Sequence, residues 1–243
     1  MTADAVPSSS GERLAHERLL ILGANGATGR HVVRQALARG HRVAAIIRHP
    51  EAFPIQHDDL EVVAGDATDA TVIDRAVAGA DAVIGVIGAP FTWKPVDVYS
   101  RSARLLVDAM ARGAAARLIV VTSAGVHEAH QRRGVAQKAA FALTRRTLGR
   151  TVYDDMVRME ALVSDSDLDW TIVRPPGLTD EPGRGYAVAE DEIDGGFCAR
   201  EDLARMLLDQ LADTRFRRRV AAVTTPGLTV SALEMFRREV LKR

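Results

Sequence analysis

The fold of this chain is decided by the segment Leu19-Leu20-Ile21-Leu22-Gly23-Ala24-Asn25-Gly26-Ala27-Thr28-Gly29-Arg30. Its apolar run shows no polar alternation, which predicts a buried parallel strand, and a helical pattern follows the glycines. Gly23 permits a tight turn, Gly26 lets the backbone approach a pyrophosphate, and Gly29 lets the helix pack close to the strand. The free N–H groups at the helix start would face the phosphates. Because a strand precedes the glycines and a helix follows them, the segment predicts a dinucleotide site rather than a purely structural turn.

The end of the next predicted strand, 42–48, bears on the choice of cofactor. Nucleotide-binding folds of this kind usually carry an acidic residue there, which bonds the ribose 2′-hydroxyl of NAD. This chain has Arg48 instead, followed by His49 and Pro50, and no carboxylate stands at the strand end. A guanidinium can hold a 2′-phosphate through two parallel hydrogen bonds, whereas the alternative is a solvated arginine at a strand terminus. Arg48 therefore predicts NADP(H) in preference to NAD(H).

Composition limits the class of protein. The chain has 243 residues, 47% of them hydrophobic and 26% charged, which is enough to bury the core of one α/β domain. Its 32 basic and 32 acidic residues give a formal net charge of zero, so no overall field attracts nucleic acid or membrane. The single cysteine, Cys198, excludes an internal disulfide and fits a reducing compartment. We expect a cytoplasmic monomer or homodimer that acts on a small molecule.

The chain is expected to form one folded domain after a short leader. Residues 1–17 are polar and lack the apolar core of a signal peptide, so they are interpreted as a mobile leader. Residues 18–243 are interpreted as an NAD(P)H-binding domain that ends in a substrate-side segment. No apolar run approaches the roughly 18 residues that cross a bilayer.

Strands and helices alternate along this domain, which predicts an α/β fold with a doubly wound parallel sheet of the Rossmann type. After the first strand, the predicted strands are 42–48, 60–65, 82–87, 117–122, 170–174, 186–189 and 219–224. The predicted helices are 26–39, 69–78, 96–112, 200–212 and 230–241, with a basic helical segment over 127–150. That segment is interpreted as a solvated helix, with a lid or a dock for an anionic group as the alternative.

Functional residues in such sheets gather beyond the carboxyl ends of the strands. Asp66 follows the third strand and either accepts a hydrogen bond from the adenine amino group or caps the next turn. Gly88 follows the fourth strand and would let the backbone pass beside the adenosine ribose. Thr122 and Ser123 follow the fifth strand, which would bring hydroxyl groups to the place where nicotinamide and substrate meet. A simple turn former is the alternative for Ser123.

Several segments together resemble the atypical short-chain dehydrogenase/reductases, with the greatest similarity to the branch of NADPH-dependent flavin reductases and biliverdin-IXβ reductases. The resemblance covers roughly residues 18–225 and is carried by Gly23–Gly29, Arg48, Gly65-Asp66, Thr122-Ser123-Ala124, Asp154–Met159 and Arg174–Asp180. It implies phosphate contacts for Gly23, Asn25, Gly26, Ala27 and Thr28, and a 2′-phosphate contact for Arg48. It also implies adenine contacts for Asp66 and Ala67, a ribose-side position for Gly88, a nicotinamide-side position for Thr122 and Ser123, and a turn over the cofactor for Pro175 and Pro176.

One departure from that family concerns proton transfer. Ordinary short-chain reductases use a Tyr-x-x-x-Lys pair, but Tyr153 is followed four residues later by Val157, and Tyr99 by Ala103. Without the lysine, a tyrosine lacks the ammonium that lowers its pKa for proton transfer near neutrality. Flavins and conjugated acceptors absorb the charge of an arriving hydride themselves, so they need positioning more than a strong acid.

These features predict an NADPH-dependent reductase of a flavin-like, quinone-like or other conjugated carbonyl acceptor. Ser123 is the candidate catalytic residue, because its hydroxyl can donate a hydrogen bond to an oxygen or ring nitrogen on which negative charge develops. The alternative is a non-catalytic NADP(H)-binding regulatory or assembly protein.

Other departures concern the pocket. The branch has two pocket histidines at the positions of Met156 and Gly177, and a second cation for the 2′-phosphate at the position of Ala52. His127 and His130 flank Glu128, but no further ligand completes a zinc pattern, so no metal is expected.

Overall fold

The computed structural model describes residues 17–113, 115–126 and 149–229. Most of the predicted leader, residues 127–148 of the basic segment and the predicted helix over 230–241 lie outside these residues. The strands are β1 (Arg18–Leu22), β2 (Arg42–Ile47), β3 (Leu60–Ala64), β4 (Ala82–Gly85), β5 (Arg117–Val121), β6 (Asp169–Arg174), β7 (Gly177–Thr179), β8 (Ala187–Glu190), β9 (Phe197–Ala199) and β10 (Arg219–Thr224). The helices are α1 (Ala27–Ala38), α2 (Ala70–Val77), α3 (Val98–Arg112), α4 (Arg150–Ser164) and α5 (Arg200–Asp209). Within the described ranges, no helix is both long enough and apolar enough to span a bilayer.

Eight strands form one sheet in the order β3-β2-β1-β4-β5-β6-β10-β8. Neighbouring strands are parallel from β3 through β10, which confirms the predicted doubly wound α/β sheet of a single domain. The prediction of a parallel sheet is wrong for the edge strand β8, which pairs antiparallel with β10. The strands β7 and β9 form a separate two-stranded parallel sheet that the sequence pattern did not predict.

Both faces of the sheet are covered, which explains the continuous apolar run in β1. Leu20 and Leu22 join the core beneath α2, α3 and α4, whereas Leu19 and Ile21 join the core beneath α1 and α5. All four side chains are fully buried, because successive residues of a strand point to opposite faces and both faces are packed. On α1, the predicted apolar face is confirmed, since its members are buried: Val32, Val33, Ala36 and Leu37.

The strand β4 is shorter than predicted, because its partner turns away. The prediction extended it to Ile87, but it ends at Gly85. The N–H of Val86 donates a last hydrogen bond of 3.0 Å to the carbonyl of Leu22, the final residue of β1. Gly23 then takes a positive φ of 76°, which turns the chain out of the sheet and leaves the end of β4 without a neighbour on that side. This separation of β1 and β4 opens a cleft.

Candidate functional site

The cleft lies at the carboxyl end of the sheet and has a volume of about 650 Å³. Its walls come from the glycine turn after β1, from the residues that follow β2, β3, β4 and β5, and from side chains of α3, α4 and α5. In a doubly wound sheet, this is the crevice in which ligands bind, at the point where the strand order reverses.

The glycine turn has room for glycine alone at two positions. A Cβ on Gly23 would lie 2.5 Å from the carbonyl oxygen of Val86, and a Cβ on Gly29 would lie 2.1 Å from the carbonyl oxygen of Gly23. Gly26 is the N-cap of α1, with no side-chain hydrogen bond to the helix start and no acidic residue in the first turn. The first N–H groups of α1 are therefore open to an external anion, as a dinucleotide phosphate site requires.

Asn25 is held in the glycine turn by an arginine that the sequence reasoning missed. Its Oδ1 atom accepts hydrogen bonds from the Nε atom of Arg30 at 3.0 Å and from an Nη atom at 2.8 Å. The carboxamide oxygen is thereby occupied, so the amide N–H₂ group remains as the hydrogen-bond donor that Asn25 offers to a ligand.

Arg48 and Asp66 lie on the walls formed by β2 and β3. Within the described part of the chain, Arg48 is exposed and forms no ion pair. Asp66 accepts hydrogen bonds of 2.8 Å from the N–H and from the hydroxyl of Thr68. These bonds, led by the backbone N–H, and the nearby charges of Arg48 and Arg101 hold the pKa of Asp66 below its usual value. Asp66 thus forms the predicted turn and also lines the cleft, so the two readings of this residue are compatible.

The side chain of Thr122 belongs to a buried polar network. Its hydroxyl donates a hydrogen bond of 2.6 Å to Glu160 of α4. The same carboxylate receives two hydrogen bonds from Arg174 at the end of β6, one of 3.0 Å from Nε and one of 2.5 Å from an Nη atom. The network fixes the ends of β5 and β6 against α4. Because the hydroxyl hydrogen of Thr122 is engaged with Glu160, this residue can offer only an acceptor to the cleft.

Ser123 and the two prolines lie outside the cleft lining. The Oγ atom of Ser123 accepts a hydrogen bond of 3.1 Å from the N–H of Gly125, which is the arrangement of a turn former. That bond uses an oxygen lone pair and leaves the hydroxyl hydrogen for another acceptor. Pro175 is buried and its carbonyl accepts a hydrogen bond of 2.9 Å from Ala124, and Pro176 is half-buried. The roles of these three residues toward the cofactor stay predictions.

Tyr99 of α3 also lines the cleft, although Ala103 stands where a Tyr-x-x-x-Lys pair would have its lysine. Its hydroxyl oxygen accepts a hydrogen bond of 2.9 Å from the N–H of Ala89. Burial, with a smaller contribution from the charge of Asp155, raises the pKa of Tyr99, so the phenol stays protonated near neutrality. The fully buried Asp155 carboxylate accepts the N–H of Tyr99 at 2.9 Å and a contact from the Ser100 hydroxyl, and so caps the start of α3.

Ten of the predicted cofactor-binding residues line the cleft together: Gly23, Asn25, Gly26, Ala27, Thr28, Arg48, Asp66, Ala67, Gly88 and Thr122. Met156, at the position of a histidine in the similar branch, lines it as well, as do Leu178 of β7 and Arg200 of α5. The described residues contain no group of three or more potential metal-ligating side chains, and the trio His127, Glu128 and His130 lies outside them.

Comparison with known proteins gives a family match over most of the chain. The family model for NAD(P)H-binding proteins matches residues 23–214. A 3-diazoavenalumate denitrifying reductase from Streptomyces is 31% identical over 206 residues, 75% of this chain and 61% of the relative. The ChuY anaerobillin reductase of Escherichia coli O157:H7 has a TM-score of 0.69 and 26% identity, over 88% of this chain and 100% of that chain. A short-chain dehydrogenase/reductase from Veillonella parvula, solved in complex with NADP, has a TM-score of 0.73 and 22% identity, over 87% of this chain and 95% of that chain.

Proposed function

The chain belongs to the NAD(P)H-binding family, and from this membership we propose that it is an NADPH-dependent oxidoreductase that transfers a hydride to a flavin-like, quinone-like or other conjugated carbonyl acceptor. The observation that carries the proposal is the pairing of two groups in one cleft. The uncapped start of α1 offers N–H groups to a pyrophosphate, and Arg48 offers a guanidinium to a 2′-phosphate. These residues fit a dinucleotide, because glycine at positions 23 and 29 permits the tight backbone turn that leads into the open N–H groups of α1.

The chemistry follows from what the remaining side chains can do. NADPH supplies the hydride when it is bound in this cleft. Ser123 retains a hydroxyl hydrogen that can be donated to an acceptor atom as negative charge develops there. Thr122 cannot share that task, because its own hydrogen is bonded to Glu160. An acceptor that delocalises the charge suits a site that lacks the Tyr-x-x-x-Lys pair. The two similar proteins named as reductases support the reduction of a small molecule.

Turnover with a panel of acceptors tests this function. Purified protein and NADPH are mixed with a free flavin, a quinone and a conjugated carbonyl compound, and the loss of NADPH absorbance is followed. We expect oxidation well above the rate without protein for at least one acceptor class. Tight NADPH binding with no oxidation across the panel would instead support the alternative of a non-catalytic NADP(H)-binding regulatory or assembly protein.

Cofactor preference has its own test at Arg48. The Arg48→Asp variant is expected to bind NADPH roughly tenfold or more weakly while its affinity for NADH changes little, because a charge-assisted contact with the 2′-phosphate contributes about 1.5–3 kcal/mol. Isothermal titration calorimetry with both cofactors measures the two affinities. Arg42, which is exposed at the other end of β2, gives the matched control, and Arg42→Asp should leave both affinities unchanged. Equal affinity of the unmodified protein for NADH and NADPH would contradict the assignment.

A further inference from the structure

Arg200 is a largely buried cation for which the described part of the chain supplies few hydrogen-bond partners. It is the first residue of α5, and its side chain is 17% exposed. The Nε and Nη1 atoms are buried and have no hydrogen-bond partner in the described part of the chain. The Oδ1 atom of Asp180 lies 3.2 Å from Nε, which provides an ion pair on the solvent side, since the Asp180 side chain is largely exposed.

Such an arrangement is costly unless a ligand completes it. A buried N–H group without an acceptor costs about 1–3 kcal/mol, and in native proteins an unsatisfied polar group commonly marks the place of a bound ion, water or substrate. Arg200 lines the same cleft as the glycine turn, so the missing acceptor can enter from that cleft.

The helix that carries Arg200 is fixed to the helix that follows the glycine turn. The Nε2 atom of Gln35 in α1 donates a hydrogen bond of 2.9 Å to the carbonyl of Glu201. At the other end of α5, Arg39 and Asp209 form an ion pair of 2.8 Å. The start of α5, from which the Arg200 side chain extends, is therefore fixed relative to the phosphate-binding turn.

The residues of the glycine turn, Gly23–Gly29, are themselves uncharged. The helix dipole contributes the equivalent of roughly half an elementary charge at the start of α1, whereas a pyrophosphate carries two negative charges. Arg30, in the first part of α1, directs its Nε atom and one Nη atom to the neutral carboxamide oxygen of Asn25, so these two donors are not available to a phosphate. An additional cation in the cleft would offset most of the remaining charge.

We propose that Arg200 binds the anionic bridge of the dinucleotide, as a cationic contact for the pyrophosphate that acts together with the N-terminus of α1. This inference rests on the proposed function, and it assigns to α5 a role in cofactor affinity. An acceptor carboxylate has the same chemistry toward a guanidinium, and the experiment below separates the two sources.

The test compares a whole cofactor with a fragment that lacks the pyrophosphate. Affinities for NADPH and for 2′-AMP are measured by calorimetry on the unmodified protein and on Arg200→Gln, Arg200→Lys and Arg205→Gln. We expect Arg200→Gln to bind NADPH roughly tenfold more weakly, as for a lost charge-assisted contact, with 2′-AMP affinity unchanged. The NADPH affinity of Arg200→Lys should lie between that of the unmodified protein and that of Arg200→Gln, because lysine keeps the charge and loses the planar fork. Arg205 is exposed on the same helix and serves as the control, with no expected effect.

Three outcomes overturn the inference. Unchanged NADPH affinity in Arg200→Gln with a raised KM for a carboxylate-bearing acceptor assigns the guanidinium to the acceptor. Equal loss of NADPH and 2′-AMP binding makes Arg200 a structural residue. Unchanged affinities and an unchanged KM leave the guanidinium without a ligand. Failure of the unmodified protein to bind NADPH would reject the proposed function itself. Calorimetry on the unmodified protein separates this result from a failure of the Arg200 inference alone.

Discussion

The free energy of unfolding of the Glu160→Ala variant is expected to be about 3–5 kcal/mol lower than that of the unmodified protein, because the substitution leaves the buried charge of Arg174 uncompensated. The side chains of Arg174 and Glu160 are only 13% and 9% exposed, and Arg174 donates two hydrogen bonds to the carboxylate. For a chain of this size, 1 kcal/mol corresponds to roughly 2–4 °C in Tm, so thermal melts should fall by roughly 6–20 °C. Circular dichroism or differential scanning calorimetry measures the change.

A surface ion pair supplies the matched control for this variant. Arg112 and Asp74 lie 2.6 Å apart, but their side chains are 62% and 54% exposed. Exposed pairs of this kind contribute roughly 0.2–1 kcal/mol, so Asp74→Ala should shift Tm by only a few degrees. If Glu160→Ala produced no larger shift than Asp74→Ala, the buried network around Thr122 would not be a stabilising feature of the fold.

The second large effect concerns Ser123. Ser123→Ala is expected to lower the rate of hydride transfer roughly tenfold to a hundredfold, equivalent to about 1.4–2.7 kcal/mol, because the hydroxyl is the donor proposed for the developing charge. NADPH affinity should barely change, since the residues that we propose for the phosphates, the glycine turn, Arg48 and Arg200, do not include Ser123. Single-turnover kinetics with a reducible acceptor, together with calorimetry of NADPH binding, measure the two quantities separately.

Other outcomes of Ser123→Ala would assign the residue a structural role or no catalytic role. Ser123 accepts a hydrogen bond from Gly125, so a purely structural residue would lose stability or cofactor binding on substitution without a selective loss of rate. An unchanged rate would make Ser123 a turn former and would leave positioning as the source of catalysis. Ser164→Ala, an exposed serine at the end of α4, provides the baseline for a serine substitution.

Much of the candidate site could be predicted because parallel strands place their carboxyl ends at one edge of the sheet. Arg48, Asp66, Gly88 and Thr122 are far apart in the sequence, yet each follows a strand that its apolar run identified. The order of strands was then enough to expect these residues in one crevice. The glycine spacing at Gly23–Gly29 added the phosphate-binding end.

The residues that sequence reasoning missed depend on packing between distant elements. Glu160 lies within α4, and nothing in its local pattern indicates that it meets Thr122 and Arg174. The strands β7 and β9 have three residues each, which is too short for a period of two to be recognised. Because β9 was not predicted, nothing in the sequence indicated that Arg200, directly after it, lies at the cleft.

The strand order also bears on how such a chain can diverge over evolutionary time. Arg48 follows β2 and Ser123 follows β5, and β1 and β4 lie between these strands. At about 4.8 Å per strand, the two positions are roughly 14 Å apart, a separation at which the effects of substitutions are usually independent. Descendants of one ancestral gene can therefore keep their coenzyme while exchanging the molecule that they reduce, or the reverse, without a compensating change in the other half of the sheet.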